Sequence, residues 1–306
     1  MQAAATPGTG TTTYAPSGGQ RPQASLGALL RMEHMKLRAR PMTKIVLAIV
    51  ALGTALIMSL MYVVVRASSY DSDAARQADI QQLLMPYALN DGFEIVSLFA
   101  FILFTVLAAS IAGSEFGWGT IRVLVGTGQS RTKLVLAKII ALLQYSFVIG
   151  AVGVAVVIMT SYALALIGGH DLPSGWFTLS FVGQFARAFG LLAFLVFMNG
   201  ALAFSIALLT RSLAAGIAVG IGWGVVEGIV VALLGTSSGI GGKLTQALTT
   251  PNFESISDYF YVTPRETPLS GGINVVQAFG VLSLYIIVPL VIATIVFRRR
   301  DISSGA

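Results

Sequence analysis

Six apolar stretches, each long enough to cross a hydrocarbon layer, set the terms on which this chain folds. Ile45–Val65 and Ile95–Gly113 hold no charged residue. Ile139–Gly169 is longer than one crossing needs, which predicts a tilted or protruding helix. Ala188–Thr210, Leu213–Leu234 and Val276–Phe297 complete the series. Glu227 interrupts the fifth, and Pro289 predicts a kink in the sixth. A helix needs about 20 residues to span the hydrocarbon core. Inside lipid each backbone N–H and C=O must find its partner within its own segment, so all six runs read as helices. The fourth is open to an earlier start near Phe181, which would carry Arg187 into the membrane. Only 10% of the 306 residues are charged, against about 25% in soluble domains. Little polar sequence remains for a separate soluble domain. The expected fold is an all-α membrane protein of six transmembrane helices.

Composition excludes several chemistries. Cysteine is absent, which removes disulfides, thiolate metal sites and a thiol nucleophile. The only histidines are His34 and His170, expected on opposite sides of the membrane. That leaves no histidine metal cluster and no Ser–His pair within it. Residues 126–133, Gly-Thr-Gly-Gln-Ser-Arg-Thr-Lys, resemble a phosphate-binding loop only loosely. They lack the G-x-x-x-x-G-K-[ST] order and a preceding strand. The chain is therefore expected to be no enzyme and to bind no metal, cofactor or ATP itself.

Residues 1–25 are rich in Ala, Gly, Thr, Pro and Gln and predict a disordered tail; no apolar core of a cleaved signal follows a basic start there. Residues 26–40 predict an amphipathic helix, closed by Pro41. Leu26, Leu29, Leu30 and Leu37 share one side, while Arg31, His34 and Arg38 face away. Such a helix suits a membrane interface. Glu33 falls on the leucine side. Two readings stand: it snorkels or pairs with Lys36 or Arg40, or this face packs on protein. Residues 41–300 form the six-helix domain, and 301–306 a short C-terminal tail.

Six crossings put both termini on one side. Segments 1–44 and 114–138, Arg211 and Arg298–Arg300 hold most of the 19 lysines and arginines. The others are Arg66, Arg76, Arg187, Lys243 and Arg265. The positive-inside rule then places both termini in the cytoplasm of a cell membrane. The net charge of +6 is thereby a topology signal and gives no support for nucleic-acid binding. Most of the acidic residues fall in the outer segments, where two readings stand: they attract cations outside the cell, or they simply solvate the loops. The last outer segment is long, with Tyr259, Phe260 and Tyr261 near its middle, and predicts short helices at the outer surface.

The densest spaced charge in the central half lies at Glu115–Lys138, between the second and third runs. Glu115 ends the second helix. Thr120 is placed to cap a short helix through Val125, Gly126-Thr127-Gly128 to break it, and Ser130 to cap the third. An ordinary positive-inside loop explains the Arg and Lys, but not the Gly-Thr pair or the Glu at a helix end.

The pattern Glu115…Gly119-Thr120-x-Arg122…Gly128-x-Ser130-Arg131…Ala137-Lys138 resembles the type-2 permease family of ATP-binding-cassette (ABC) transporters. The resemblance covers roughly residues 26–300. It includes Glu33 and Lys36, which match the Glu and Lys of that family's elbow helix. Gly126-Thr127-Gly128 departs from it, since the family often carries a Pro-containing turn there. The resemblance implies a cytoplasmic ABC ATPase subunit, with ATP-Mg bound on that partner, docked under the elbow and coupling helices. It also implies a second permease copy, as homodimer or heterodimer, in a bacterial membrane. Ile121, Val123 and Leu124 would dock the partner. Arg122, Arg131 and Lys138 would pair with ATPase or lipid anions. Glu115 would anchor the loop to the elbow or to Arg131. Export of a lipophilic compound, peptide or ion follows by resemblance. Two other readings are a membrane sensor or maturation-complex anchor driven by an ATPase, and a secondary carrier using Glu227 as its proton site.

Three further features lie inside the membrane. Gly216, Gly220, Gly224 and Gly228 recur every fourth residue, a spacing that lets helices approach closely. The contact would be a second copy or a neighbouring span; against it stands the abundance of glycine, 33 residues in all. Glu227 is a pathway or proton-site candidate by its cost in lipid, or a hydrogen-bonded carboxylate paired with Arg187. Asn199, mid-span, is a second pathway candidate or a bond to another helix.

Overall fold

A computed structural model of the chain describes residues 24–117, 119–120, 126, 129–172, 174–234, 239–257 and 273–300. Among these residues the structure is all-helical. In chain order the helices are α1 (Leu26–Ala39), α2 (Pro41–Ala67), α3 (Asp73–Gln82), α4 (Ala88–Gly117) and α5 (Arg131–Gly168). They continue as α6 (Leu179–Thr210), α7 (Leu213–Leu234), α8 (Ile240–Thr245), α9 (Thr249–Ser257) and α10 (Val275–Arg299). Six of them, α2, α4, α5, α6, α7 and α10, are long and apolar enough to cross a membrane. This is the architecture of a multi-pass membrane protein.

Local chemistry sets the boundaries. Ser25 caps α1 by accepting from the Ala28 N–H at 3.2 Å. Pro41 disfavours helical backbone at the residue before it, so Arg40 is extended and α1 ends there. The same proline opens α2 from its first turn, where it has no N–H to strand. Thr178 caps α6 through the Phe181 N–H, and Asn274 caps α10 through the Val276 N–H. Gly169 ends α5 in a left-handed conformation, φ 68°. Helix α6 begins at Leu179, ahead of the apolar run, and so takes in Arg187. Pro289 lies inside α10. The 38 residues of α5 give a rod of about 57 Å at 1.5 Å per residue, well beyond the roughly 30 Å core.

The core sits around α4 and α6. In their most apolar windows 67% and 72% of residues are buried, against 11% for α7. The first two are therefore the central helices and α7 a peripheral one. Small residues permit the close approaches. A Cβ on Gly200 would lie 2.5 Å from the Phe104 ring, and one on Gly153 would lie 2.5 Å from Val96. The outward faces carry bare aliphatic side chains such as Leu52, Leu56, Leu284 and Ile287, as a hydrocarbon surrounding demands. Short helices α8 and α9 fold back against α7 and α10. Residues 259–261 lie outside the described residues.

A buried charge cluster as candidate functional site

Glu33 and Lys36 stand one turn apart on α1. Glu33 shares its face with Leu29 and Leu37, and all three are buried. That face packs on α5, where Leu29 meets Leu134 and Ala137. Both readings of Glu33 therefore meet in one arrangement: the face packs on protein, and the carboxylate is paired there.

The pairing draws in two further helices. Lys138, two turns into α5, donates to Glu33 Oε2 at 3.0 Å and to Glu115 Oε1 at 2.7 Å. Lys36 donates to Glu33 Oε1 at 3.0 Å and to Glu115 Oε1 at 2.7 Å. Glu115 comes from the last turn of α4. Two carboxylates and two ammonium groups thus alternate around a ring that joins α1, α4 and α5, with no formal net charge. Glu33, Glu115 and Lys138 are 2–3% exposed, whereas the Lys36 side chain is 29% exposed. Burial alone would lower the Lys36 pKa, but Glu115 and Glu33 outweigh it and hold it above the ordinary lysine value. A third acceptor for Lys138, the Ile111 carbonyl, lies at 3.4 Å. Burying such charges is tolerable only because each has close, hydrogen-bonded partners.

Several expectations change at this site. Lys138 does not face partner or lipid anions; it is buried and spent on Glu33 and Glu115. Of the two anchors open to Glu115, α1 or Arg131, the ion pair with Lys36 at 2.7 Å gives the first. Arg131 instead donates to the carbonyls of Arg298 and Arg300 at 3.1 and 2.5 Å. Arg300 in turn donates to the Leu209 carbonyl at 2.7 Å. The ends of α6 and α10 are thereby clasped to the start of α5. Ser130 occupies the N-cap position of α5, but its side chain makes no capping bond. Thr120 bonds backward, its hydroxyl donating to the Glu115 carbonyl at 3.3 Å. Gly119 adopts φ 67°, a region glycine enters freely. Ile121, Arg122, Val123 and Leu124, and with them the short helix expected over Thr120–Val125, lie outside the described residues. Both flanks of that segment are tethered: Thr120 to the end of α4, and Gln129 to the start of α1 through the Ala24 N–H at 2.8 Å.

Glu227 sits at the far end of the bundle, 2% exposed. Its carboxylate accepts from the Thr249 and Thr250 N–H groups at 3.0 Å each, and from both threonine hydroxyls. It caps the first turn of α9 from another helix, where the helix dipole favours negative charge. The pairing with Arg187 is replaced by this cap. The sequence reading missed the two threonines, although Thr-Thr-Pro at residues 249–251 is a helix-start signal.

The glycine series divides. A Cβ on Gly216 would meet Ala207 and Ala203 of α6, one on Gly220 would meet Thr105 of α4 and Ala203, and one on Gly224 would meet Phe101. These contacts are with spans of the same chain. Gly228 has nothing within 4 Å of a Cβ, so it takes no part in that packing. Asn199 is half-buried in α6 and makes no hydrogen bond among the described residues.

Against known proteins, residues 54–303 match the family described as "Protein of unknown function (DUF2705)". No curated protein matches the chain. The match takes in Glu115, Lys138 and Glu227 and begins after Glu33 and Lys36.

Proposed function

We propose that this chain, which belongs to the DUF2705 family, is the membrane-spanning permease subunit of an ATP-driven transporter. Its ATP is hydrolysed on a separate cytoplasmic ATPase of the ABC type. Both termini face the cytoplasm of a bacterial cell membrane, and α1 serves as the elbow helix. A second permease copy completes the assembly. Transport is export of a lipophilic compound, peptide or ion by alternating access, a direction that rests on the family resemblance.

One observation carries the reading: the Glu33–Lys36–Glu115–Lys138 cluster joins α1 to α4 and α5, the helices that flank residues 118–128 in sequence. A partner pressing on that segment and on α1 moves two membrane helices together. A hinged loop would absorb the push, whereas charges held at 2.7–3.0 Å in a buried site transmit it. Docking itself falls to Ile121 and Leu124, with Arg122 beside them, because an exposed ion pair adds only about 0–1 kcal/mol.

Copurification tests the proposal. An ATPase with a phosphate-binding loop is expected to accompany the native chain and to hydrolyse ATP faster when transported substrate is present. Arg122→Glu with Leu124→Asp is expected to strip the ATPase from a folded chain. Glu115→Gln is expected to keep the ATPase bound and weaken the coupling of hydrolysis to transport. A chain that recruits no ATPase, or variants with native binding and coupling, would overturn it.

A further inference from the structure

Beside the charge cluster, on the other side of α1, lies a groove of about 390 Å³ between α1, α2 and α5. We propose that it binds the headgroup of an anionic phospholipid. The proposal rests on the six apolar helices standing in a bilayer and is independent of any ATPase.

The upper wall is cationic. Arg38 comes from the last turns of α1 and Lys44 from the first turn of α2; both are exposed, and no carboxylate lines the groove. Glu33, the nearest acid on α1, is committed to Lys36 and Lys138 and leaves that positive charge unquenched. The floor offers further polar groups. His34 Nε2 lies 2.6 Å from Gln144 Oε1, and the His34 ring stacks on Tyr145 with centroids 6.0 Å apart. Thr43 is 3% exposed, and its hydroxyl has no hydrogen-bond partner. No side chain caps the first turn of α2 that carries it. An uncapped helix start beside two cations favours an oxyanion.

The lower wall decides for a lipid over a soluble anion. Leu47 and Val148 continue the groove away from the cations. Val148 is itself exposed, and Phe147 beside it on α5 is bare as well. A ligand with a phosphodiester under Arg38 and Lys44 would lay its acyl chains along this apolar face. A soluble phosphate would leave that face unused.

Native mass spectrometry and lipid exchange in nanodiscs read the preference. Phosphatidylglycerol is expected to be retained over phosphatidylcholine by on the order of tenfold, since each basic residue near a membrane surface contributes a few-fold. Arg38→Ala with Lys44→Ala is expected to reduce retention to the phosphatidylcholine level, with an unchanged melting temperature in phosphatidylcholine. Arg66→Ala with Arg76→Ala removes the same charge at the opposite end and is expected to keep the preference. Equal retention of the two lipids, or loss of the preference in both double variants, would overturn the site. Displacement of phosphatidylglycerol by millimolar inorganic phosphate would show a free-anion pocket and overturn the lipid assignment.

Discussion

Two buried carboxylate sites stand at opposite ends of the bundle, and they solve the same electrostatic problem in different ways. Glu33 and Glu115 are neutralised by whole charges, Lys36 and Lys138, brought from three helices. Glu227 has no lysine; it is held by two backbone N–H groups and two hydroxyls at one helix start. Ion pairs over many residues of sequence bind separate elements into one body. A cap binds a single short helix to its neighbour. The first arrangement suits a place where force enters, and the second a place where a loop must be held down. Each buried charge is also vulnerable in its own way. Removing one ion strands its partners in low dielectric, whereas removing the capping carboxylate strands only neutral dipoles.

The largest effect tests that vulnerability directly. Lys138→Met leaves two buried carboxylates to Lys36 alone and is expected to cost about 3–5 kcal/mol, read by unfolding in detergent or nanodiscs. Adding Glu33→Gln to the same chain is expected to recover part of the loss, because it restores neutrality. A cost below about 1 kcal/mol would mean that the cluster is no more than a surface pair. Next comes Glu227→Leu, expected to cost about 1–3 kcal/mol as the threonine donors lose their acceptor. Glu227→Gln keeps one acceptor oxygen and is expected to cost less. If Glu227→Leu matched Lys138→Met, the distinction between the two ends would collapse.

The packing of α7, which carries Glu227, gives a third and similar contrast. Gly220→Ala drives a Cβ to 2.5 Å from Thr105 and is expected to cost about 1–3 kcal/mol by overpacking. Gly228→Ala meets open space and is expected to be neutral or to stabilise by under about 1 kcal/mol. Equal costs would show that α7 is held by its Glu227 cap rather than by close approach to α4 and α6.

The smallest effect is one of pH. The Lys36 pKa is raised by its carboxylates, so its contribution is full below the unfolded lysine value near about 10.4. That contribution is lost as pH climbs through the higher folded value. The expected loss is under about 1 kcal/mol, since the side chain is partly solvated. Glu227 is held by backbone N–H and hydroxyl donors that keep their protons as the Lys36 charge is lost, so its cap should stay in place. The native chain has no cysteine, so a nitroxide at Met35→Cys or Leu244→Cys reports each end separately. Mobility is expected to rise first at Met35; a simultaneous rise at both would deny the difference.

The spans were legible because lipid leaves an apolar sequence few options. The positions of Ile95–Gly113 and Leu213–Leu234 needed only the absence of charge and a length near 20. The overhangs were legible in part. Ser130 marked the start of α5 ahead of Ile139, and α1 packs on those turns through Leu134 and Ala137. The start of α4 at Ala88 was hidden by Asn90, Asp91 and Glu94. The candidate site was half-visible. Glu33 on a leucine face already signalled a buried partner, and Glu115 at a helix end stood out from its loop. Their shared partner did not, since Lys138 is 105 residues from Glu33 and looks in sequence like any positive-inside residue. Arg131 misled for the same reason: its partners are backbone carbonyls, which no side-chain pattern announces. The partners of Glu227 were hidden because two threonines in a polar segment look like loop.

The clasp at the start of α5 has a consequence for biogenesis. The charge cluster is complete once Lys138 has been made. Arg131, seven residues earlier, must wait for the carbonyls of Arg298 and Arg300 at the other end of the chain. At about 5–20 residues per second, synthesis of the intervening roughly 160 residues takes about 8–30 s. Through that interval the early half of the chain is knotted while its final seam stands open. The nascent bundle is thus assembled around a finished first corner and zipped shut by its last helix.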